Sequence, residues 1–298
     1  MAKTRTMVKR MRAVRNIRTV SKAMQTVAAA RFKLANDRIG SFSPYGNELV
    51  AMVGDLIARS ESEKLHHPLL REPEGFRHDV LLVLTSSRGL CGSYNSAVLK
   101  LTIDRLLQLR QAEYEVELHV VGYRGIRYLE FRGLKIDKTY DRFGDLPTYE
   151  QVSALADSMT SDFLARRISG MEVAYMQFVS AGQQRPAVAQ LLPLADLPSA
   201  AVSEEELALS VPYDFYPRAD EILRKLLPET VRLKLYQCFL DAGAAEQLMR
   251  RAAMRAATDN ADDMIHELRQ LINRQRQMQI TTELSEIMGG GAGLEQKA

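Results

Sequence analysis

Between Met7 and Leu34 the apolar residues fall at intervals of three, four or seven: Met7, Met11 and Val14, then Val20, Met24, Val27 and Leu34. That spacing predicts an α-helix with a narrow coiled-coil seam rather than a broad core-facing stripe. Neither Gly nor Pro interrupts the chain before Gly40, and Ala28-Ala29-Ala30 is strongly helix-forming. Gly40 and Pro44 predict a kink or break, after which Leu49, Val53, Leu56 and Ile57 resume the helical period to about Arg59. Ser60–Gly75, with Pro68 and Pro73, reads as a linker.

The pattern then changes. Val80–Leu84 is a short unbroken apolar run, as in a buried strand. The glycine-bearing loop Arg88–Gly92 and a helical stretch to about Gln111 follow it. The theme repeats with a strand at Val116–Val121, a loop at Gly122–Gly125 and a short helix at Ile126–Phe131. A helix over 150–167 and strands at Met171–Val179 and Ala187–Leu192 complete a small α/β domain at 76–192, Rossmann-like in its alternation. Residues 193–217 are punctuated by proline and predict a surface excursion, with the acidic run Glu204-Glu205-Glu206 and the aromatic patch Tyr213–Tyr216.

The last long segment, 218–288, is the most unusual. From Glu229 to Met288 there is no proline and a single glycine, Gly243. As one helix these residues would extend about 90 Å, at 1.5 Å per residue. A helix of that length outruns a small domain and needs a partner, and the N-terminal helix supplies one. The expected architecture is therefore a long antiparallel coiled coil of the two terminal helices joined to a small α/β domain. Residues 289–298, beginning Gly289-Gly290-Gly291, predict a frayed tail.

Charge sharpens this picture. The net charge is only +3, yet residues 1–40 hold eleven basic side chains against one acid, Asp37, so this arm carries +10 and the remainder −7. Arg- and Ala-rich starts occur in organelle transit peptides, but here the apolar period runs on without a cleavage boundary and serine is scarce, so the arm is expected to be mature protein. Clustered Lys and Arg also fit nucleic acid. The basic residues, however, interleave with Met, Val and Ala, and no aromatic precedes Phe32. An acidic protein surface is the better expectation, and no nucleic acid is expected as partner. No apolar run reaches the roughly 18 residues that span a bilayer, so no direct membrane span is expected.

Catalytic signals are sparse. A phosphate-cradling GxxxxGK[ST] motif is missing, and the units around Gly89/Gly92 and Gly122/Gly125 lack full GxGxxG spacing. Glycines there serve the tight βα turn. His66, His67, His78, His119 and His266 show no metal-ligand spacing, and Cys91 and Cys238 read as small buried hydrophobes. No catalytic residue, cofactor or metal site is expected. A nucleotide-binding α/β enzyme with a coiled-coil arm stays open as the alternative, as does a nucleic-acid-binding coiled-coil protein.

Particular strings carry a resemblance. Ser21–Ala30, His67-Pro68-Leu69-Leu70, Ser87–Gly92 with Asn95, Met254–Ala261 and Ile280–Ile287 are similar, in order, to motifs of the gamma subunit of F-type ATP synthases. The resemblance spans essentially the whole chain. Departures are Ser87 where an acid is usual, Ser93-Tyr94 in place of a small pair, Ser21 for Thr, and a longer terminal glycine run.

The resemblance implies a rotor rather than a catalyst. In this family the terminal helices form an asymmetric shaft inside an alpha3beta3 hexamer, and the α/β body is a foot that meets the epsilon subunit and the c-subunit ring. Carried over by motif position, Met24 faces the beta subunits, and Arg250, Arg276, Gln277, Thr281 and Glu283 make polar contacts with the ring. The resemblance loosely suggests foot contacts at Glu204, Tyr213, Phe215 and Tyr216. It implies a peripheral place on the cytoplasmic face of a bacterial inner membrane, without thiol regulation of the chloroplast type.

Overall fold

The computed structural model describes residues 2–59, 67–71, 73, 75–141, 143–144, 146–194 and 219–295. Two helices dominate the chain ends: α1 (Ala2–Arg59) and α5 (Ala219–Glu295). Between them lie β1 (His78–Leu84), α2 (Tyr94–Gln111), β2 (Glu115–Val121), α3 (Tyr123–Phe131), β3 (Lys138–Tyr140), α4 (Tyr149–Leu164), β4 (Gly170–Ser180) and β5 (Gln183–Leu192). The chain divides into two compact units, residues 1–28 with 250–298, and residues 29–249. Both boundaries fall inside the long helices. Residues 29–59 of α1 and 219–249 of α5 belong to the sheet's unit because their apolar faces enter its core.

In that unit the five strands are ordered β3-β2-β1-β4-β5. β1 pairs parallel with β2 and β4, β2 pairs parallel with β3, and β5 closes the edge antiparallel to β4. The first four strands follow the doubly wound order, with the direction of winding reversing at β1. Alternation along β1 builds two cores. Val80, Leu82 and Leu84 face a cluster with Val152, Met159 and Phe163 of α4, Leu49, Val53 and Leu56 of α1, and Leu223 to Leu240 of α5. Leu81 and Val83 face Val98, Leu99 and Leu106 of α2 and Leu129 of α3. The one-turn helix Pro68–Leu70 closes one end, with Leu69 fully buried.

Three differences from the sequence pattern have local causes. The expected break at Gly40/Pro44 does not occur, and α1 runs through it. Pro44 removes the donor that would pair with the Gly40 carbonyl, but Leu49, Val53 and Leu56 beyond it are buried and hold the helix to the sheet. α5 likewise continues past Met288 through the glycine run to Glu295. Glycine costs a helix about 1 kcal/mol relative to alanine but leaves its backbone ladder intact. β3, three residues with one pairing neighbour, was not foreseen because such a short segment carries no period.

The helix-pair unit has a different logic. On α5 the buried residues Met254, Thr258, Ala261, Ile265 and Leu268 recur at four and three, a heptad seam. The facing line on α1 is Val14, Ser21 and Ala28, spaced by seven, with Met11 beside Val14. Arg18 Nε lies 2.5 Å from Asp262 Oδ1 across the pair. Met11 and Val14 thus keep their expected place, but Val20, Val27 and Leu34 do not. They are 58%, 52% and 59% exposed. The inner line past Val14 is built from a serine and an alanine, because small residues let the two backbones approach closely.

Candidate functional site

The carboxyl ends of β1 and β2 are where a doubly wound sheet would hold a nucleotide. Here the chain fills that place itself. Phe239, Ala242, Gly243 and Glu246 of α5 lie over Leu84, Thr85 and Val121, leaving a cavity of about 30 Å³. Ligand pockets run to roughly 300–1,000 Å³.

The backbone amides of the second βα turn are also committed. Thr85 Oγ donates to the Val121 carbonyl at 2.7 Å and accepts the Gly125 amide at 3.1 Å. The Arg124 amide donates to the Ser86 carbonyl and the Gly122 amide to the Tyr140 carbonyl. Gly122 has φ +94°, and a Cβ there would meet the Thr85 carbonyl oxygen at 2.1 Å. A Cβ on Gly125 would meet Thr85 Oγ at 2.4 Å. The second GxxG therefore exists so that the β1 end and the start of α3 can touch, as the turn reading expects.

The first loop is pinned by a polar knot. Asn95 Nδ2 donates to Ser86 Oγ at 2.7 Å and to Cys91 Sγ at 3.2 Å, while Asn95 Oδ1 accepts the Ser86 amide at 3.0 Å. Tyr94 OH donates to the Leu84 carbonyl. Cys91 is buried among these groups, none of which is a base.

Cys238 is likewise buried, and burial, together with nearby Asp241, pushes its thiol up to about 12. Burial pushes Asp241 itself up to about 7, and Gln237 Nε2 donates to its Oδ1 at 2.8 Å. Sequence reasoning passed over Asp241, although an acid between Leu240 and Ala242 on a buried helical face was a visible signal. Of the histidines, His67 accepts the Leu69 amide at 3.3 Å. His119 is fully buried beside Glu117 and Tyr140, with its pKa lowered chiefly by burial. His78 Nε2 lies 3.2 Å from the other oxygen of Glu117. Among the described residues no three His, Cys, Asp or Glu side chains converge to hold a metal ion.

The residues carried over from the resemblance scatter over both helices. Met24 is half-buried on α1. Arg276, Gln277, Thr281 and Glu283 are exposed on α5, and Thr281 Oγ donates to the Gln277 carbonyl at 3.0 Å, so these two share one face. Arg250 is 5% exposed. It lies on α5 four residues before the buried Met254. Glu204, Tyr213, Phe215 and Tyr216 lie outside the described residues.

Each helix also carries an exposed apolar line, which on α1 includes Val20 and Val27 of the expected seam. Ile17, Val20 and Val27 of α1, and Met264, Leu271 and Met278 of α5, are 40–58% exposed. The α5 set repeats every seven residues, so it stays on one side along the helix. No helix among the described residues is long and apolar enough to cross a membrane.

The structure thus defines a class of protein with two units, an α/β sheet unit whose β1–β2 end is filled by its own helix and a unit of two long paired terminal helices. Comparison with known proteins makes this specific. The sequence model of the ATP synthase family matches residues 3–294. The chain is 36% identical to the ATP synthase gamma chain of Rhodopirellula baltica, over 99% of this chain and all of that one. It is 35% identical to the gamma chain of Saccharopolyspora erythraea, over 97% of each. In fold it resembles a chain of the Euglena gracilis mitochondrial ATP synthase, with a TM-score of 0.64 at 13% identity, covering 98% of this chain and 95% of that one. A chain from the rotor of the same enzyme gives 0.59 at 11% identity, with 94% and 99% covered. The chain belongs to the ATP synthase gamma chain family.

Proposed function

We propose that this chain is the central-stalk rotor subunit of an F-type ATP synthase. It is non-catalytic alone and couples ion flow through the membrane sector to conformational cycling of the catalytic beta subunits. The observation that carries this reading is the pair of exposed apolar lines on α1 and α5. Apolar surface repeated along one side of a helix marks an interaction site, and a surrounding alpha3beta3 hexamer would cover it. The closed crevice supports a subunit that moves nucleotide affinity in its neighbours and holds no nucleotide itself.

Coupling then follows from differential contact. An asymmetric helix pair meets three identical beta subunits differently and biases each toward an open or closed state. Met24, Gln277, Thr281, Arg276 and Glu283 are the proposed ring contacts. The epsilon subunit and c-subunit ring are the proposed partners of the sheet unit. The complex would place the chain peripherally at the cytoplasmic face of a bacterial inner membrane.

The test is reconstitution. The isolated chain should not hydrolyse ATP, and a tagged chain should bring alpha, beta and epsilon subunits through purification. Hydrolysis by added alpha and beta subunits should rise when the chain is present. ATP hydrolysis by the chain alone, or purification without those subunits, would remove the proposal.

A further inference from the structure

The helices that share the larger core, α1, α4 and α5, also meet at a directional junction. Phe42 of α1 and Tyr149 of α4 each contact Tyr236 of α5 edge-on, with ring centroids 4.8 and 5.4 Å away at 81° and 88°. Phe42 and Tyr149 lie 6.3 Å apart, which closes the triad. Beside the rings a polar chain ties α4 to α5. Tyr149 OH donates to Glu229 Oε1, and the other oxygen of Glu229 accepts from Arg232 Nη1 at 2.8 Å. Arg232 Nε then donates to Asp157 Oδ1 at 2.7 Å.

Three features set this junction apart from ordinary packing. First, the aliphatic core presses α5 onto the sheet, but apolar contact is non-directional and resists the turning of a helix only weakly. Hydrogen bonds weaken steeply with angle and do resist it. Tyr149 and Asp157 are eight residues apart, about 12 Å along α4, so α5 is tied at two separated points. Second, the ties are preset. Thr148 and Gln151 form a capping box that fixes the start of α4 at Tyr149. Burial and the bond to Glu229 push the Tyr149 phenol up to about 12, so it stays a donor. Third, the Arg232 and Asp157 side chains are 34% and 49% exposed. Ion pairs so open to water add little to stability, which leaves orientation as their contribution.

We propose that Phe42, Tyr149, Asp157, Glu229, Arg232 and Tyr236 form a torsional clamp. They are positioning residues that fix the rotation of α5, and with it α1, against the sheet. Both helices continue beyond this unit, into residues 1–28 and 250–298. The clamp therefore sets how faithfully a turn of the sheet becomes a turn of the helices. The inference rests on the central-stalk reading, in which torque passes along that route.

The test removes the two ties with Tyr149→Phe and Asp157→Asn together, which keeps the rings and side-chain shapes. Spin labels at Ala154→Cys on α4 and Lys225→Cys on α5, both exposed positions, report the distance between the helices in the full chain. Cys91 and Cys238 are buried and do not take the label. The distance distribution should widen about twofold in the double variant, since its directional ties are gone. Val53→Ala hollows the same core and should lower the Tm more, yet leave the width as in the wild type. In the complex, anchored by its beta subunits, a probe at the exposed Lys100→Cys reads the angular variance of the sheet unit. That variance should also rise about twofold in the double variant, while the ATP hydrolysis rate stays unchanged. An unchanged width, equal widening in Val53→Ala, or an unaltered angular variance would overturn the clamp. A wild-type chain that does not assemble with alpha and beta subunits would instead remove the subunit reading, and the free-chain widths still decide the clamp.

Discussion

Asp241 shows how one side chain links the fold to pH. Its carboxyl is 5% exposed on the face of α5 that enters the sheet unit. Burial raises its pKa from 3.8 to about 7, against the opposing donor Gln237. The folded chain therefore holds this proton between those values and the unfolded chain does not. Stability from this group is fully present below about pH 4 and is lost as pH rises through 7. The loss amounts to on the order of a few kcal/mol. Asp241→Asn keeps an oxygen for Gln237 and removes the titration. The wild-type Tm should fall between pH 5 and 8, and the variant should lose that slope and be the more stable of the two at pH 8. Parallel Tm profiles across this range would mean that Asp241 is not the group responsible. Nearby Cys238, already raised to about 12, stays a thiol throughout and does not confuse the reading.

At the scale of elements, each long helix carries two lines with different work. The inner line of α1, Val14, Ser21 and Ala28, faces α5, while Val20 and Val27 face outward. Replacing both outer valines by serine should move the Tm of the isolated chain little, since neither is buried. It should weaken assembly with alpha and beta subunits, measured by gel filtration of mixtures. Ala28→Leu should do the reverse first. Ala28 is 1% exposed, and overpacking a tight site costs roughly 1–3 kcal/mol, so its Tm should drop in the isolated chain. If the serine pair destabilises the free chain as much as Ala28→Leu does, the assignment of lines is wrong.

The same two lines show where sequence pattern stops being informative. Hydrophobic spacing located α1, α2, α4, α5 and the strands β1, β2, β4 and β5, because each is long enough to display a period or a solid apolar run. It failed beyond Val14, where the more apolar of two heptad lines faces water and the buried one reads Ser21 and Ala28. Close helix approach selects for small size, which hydrophobicity does not measure. The short β3 was invisible for lack of length. The closure of the nucleotide crevice by Phe239 to Glu246 joins residues some 150 positions apart in the chain, and no local pattern encodes that. Of the residues inferred from motif position, Arg276, Gln277, Thr281 and Glu283 are exposed, Met24 is half-buried and Arg250 is buried.

For the molecule as a whole, the small net charge of +3 is divided by structure as well as by sequence. Residues 1–28 and 250–298 hold fifteen basic against seven acidic side chains, a charge of +8, so residues 29–249 carry −5. A cationic helix pair and an anionic sheet unit present opposite fields to their partners, and such fields act chiefly on the rate of encounter. Association of the chain with alpha and beta subunits should therefore slow as salt rises, by about tenfold between 50 and 300 mM. Dissociation of the assembled complex should change less, since it depends on the apolar lines. Stopped-flow mixing at several salt concentrations separates the two rates. A nucleic-acid role for the basic arm makes a different demand, because binding to DNA would itself fall steeply with salt through counterion release. Association with the subunits that is insensitive to salt, together with salt-sensitive DNA binding, would reassign the +8 unit to nucleic acid. The opposite pair of results keeps it as a helix pair steered into a ring of acidic protein surfaces.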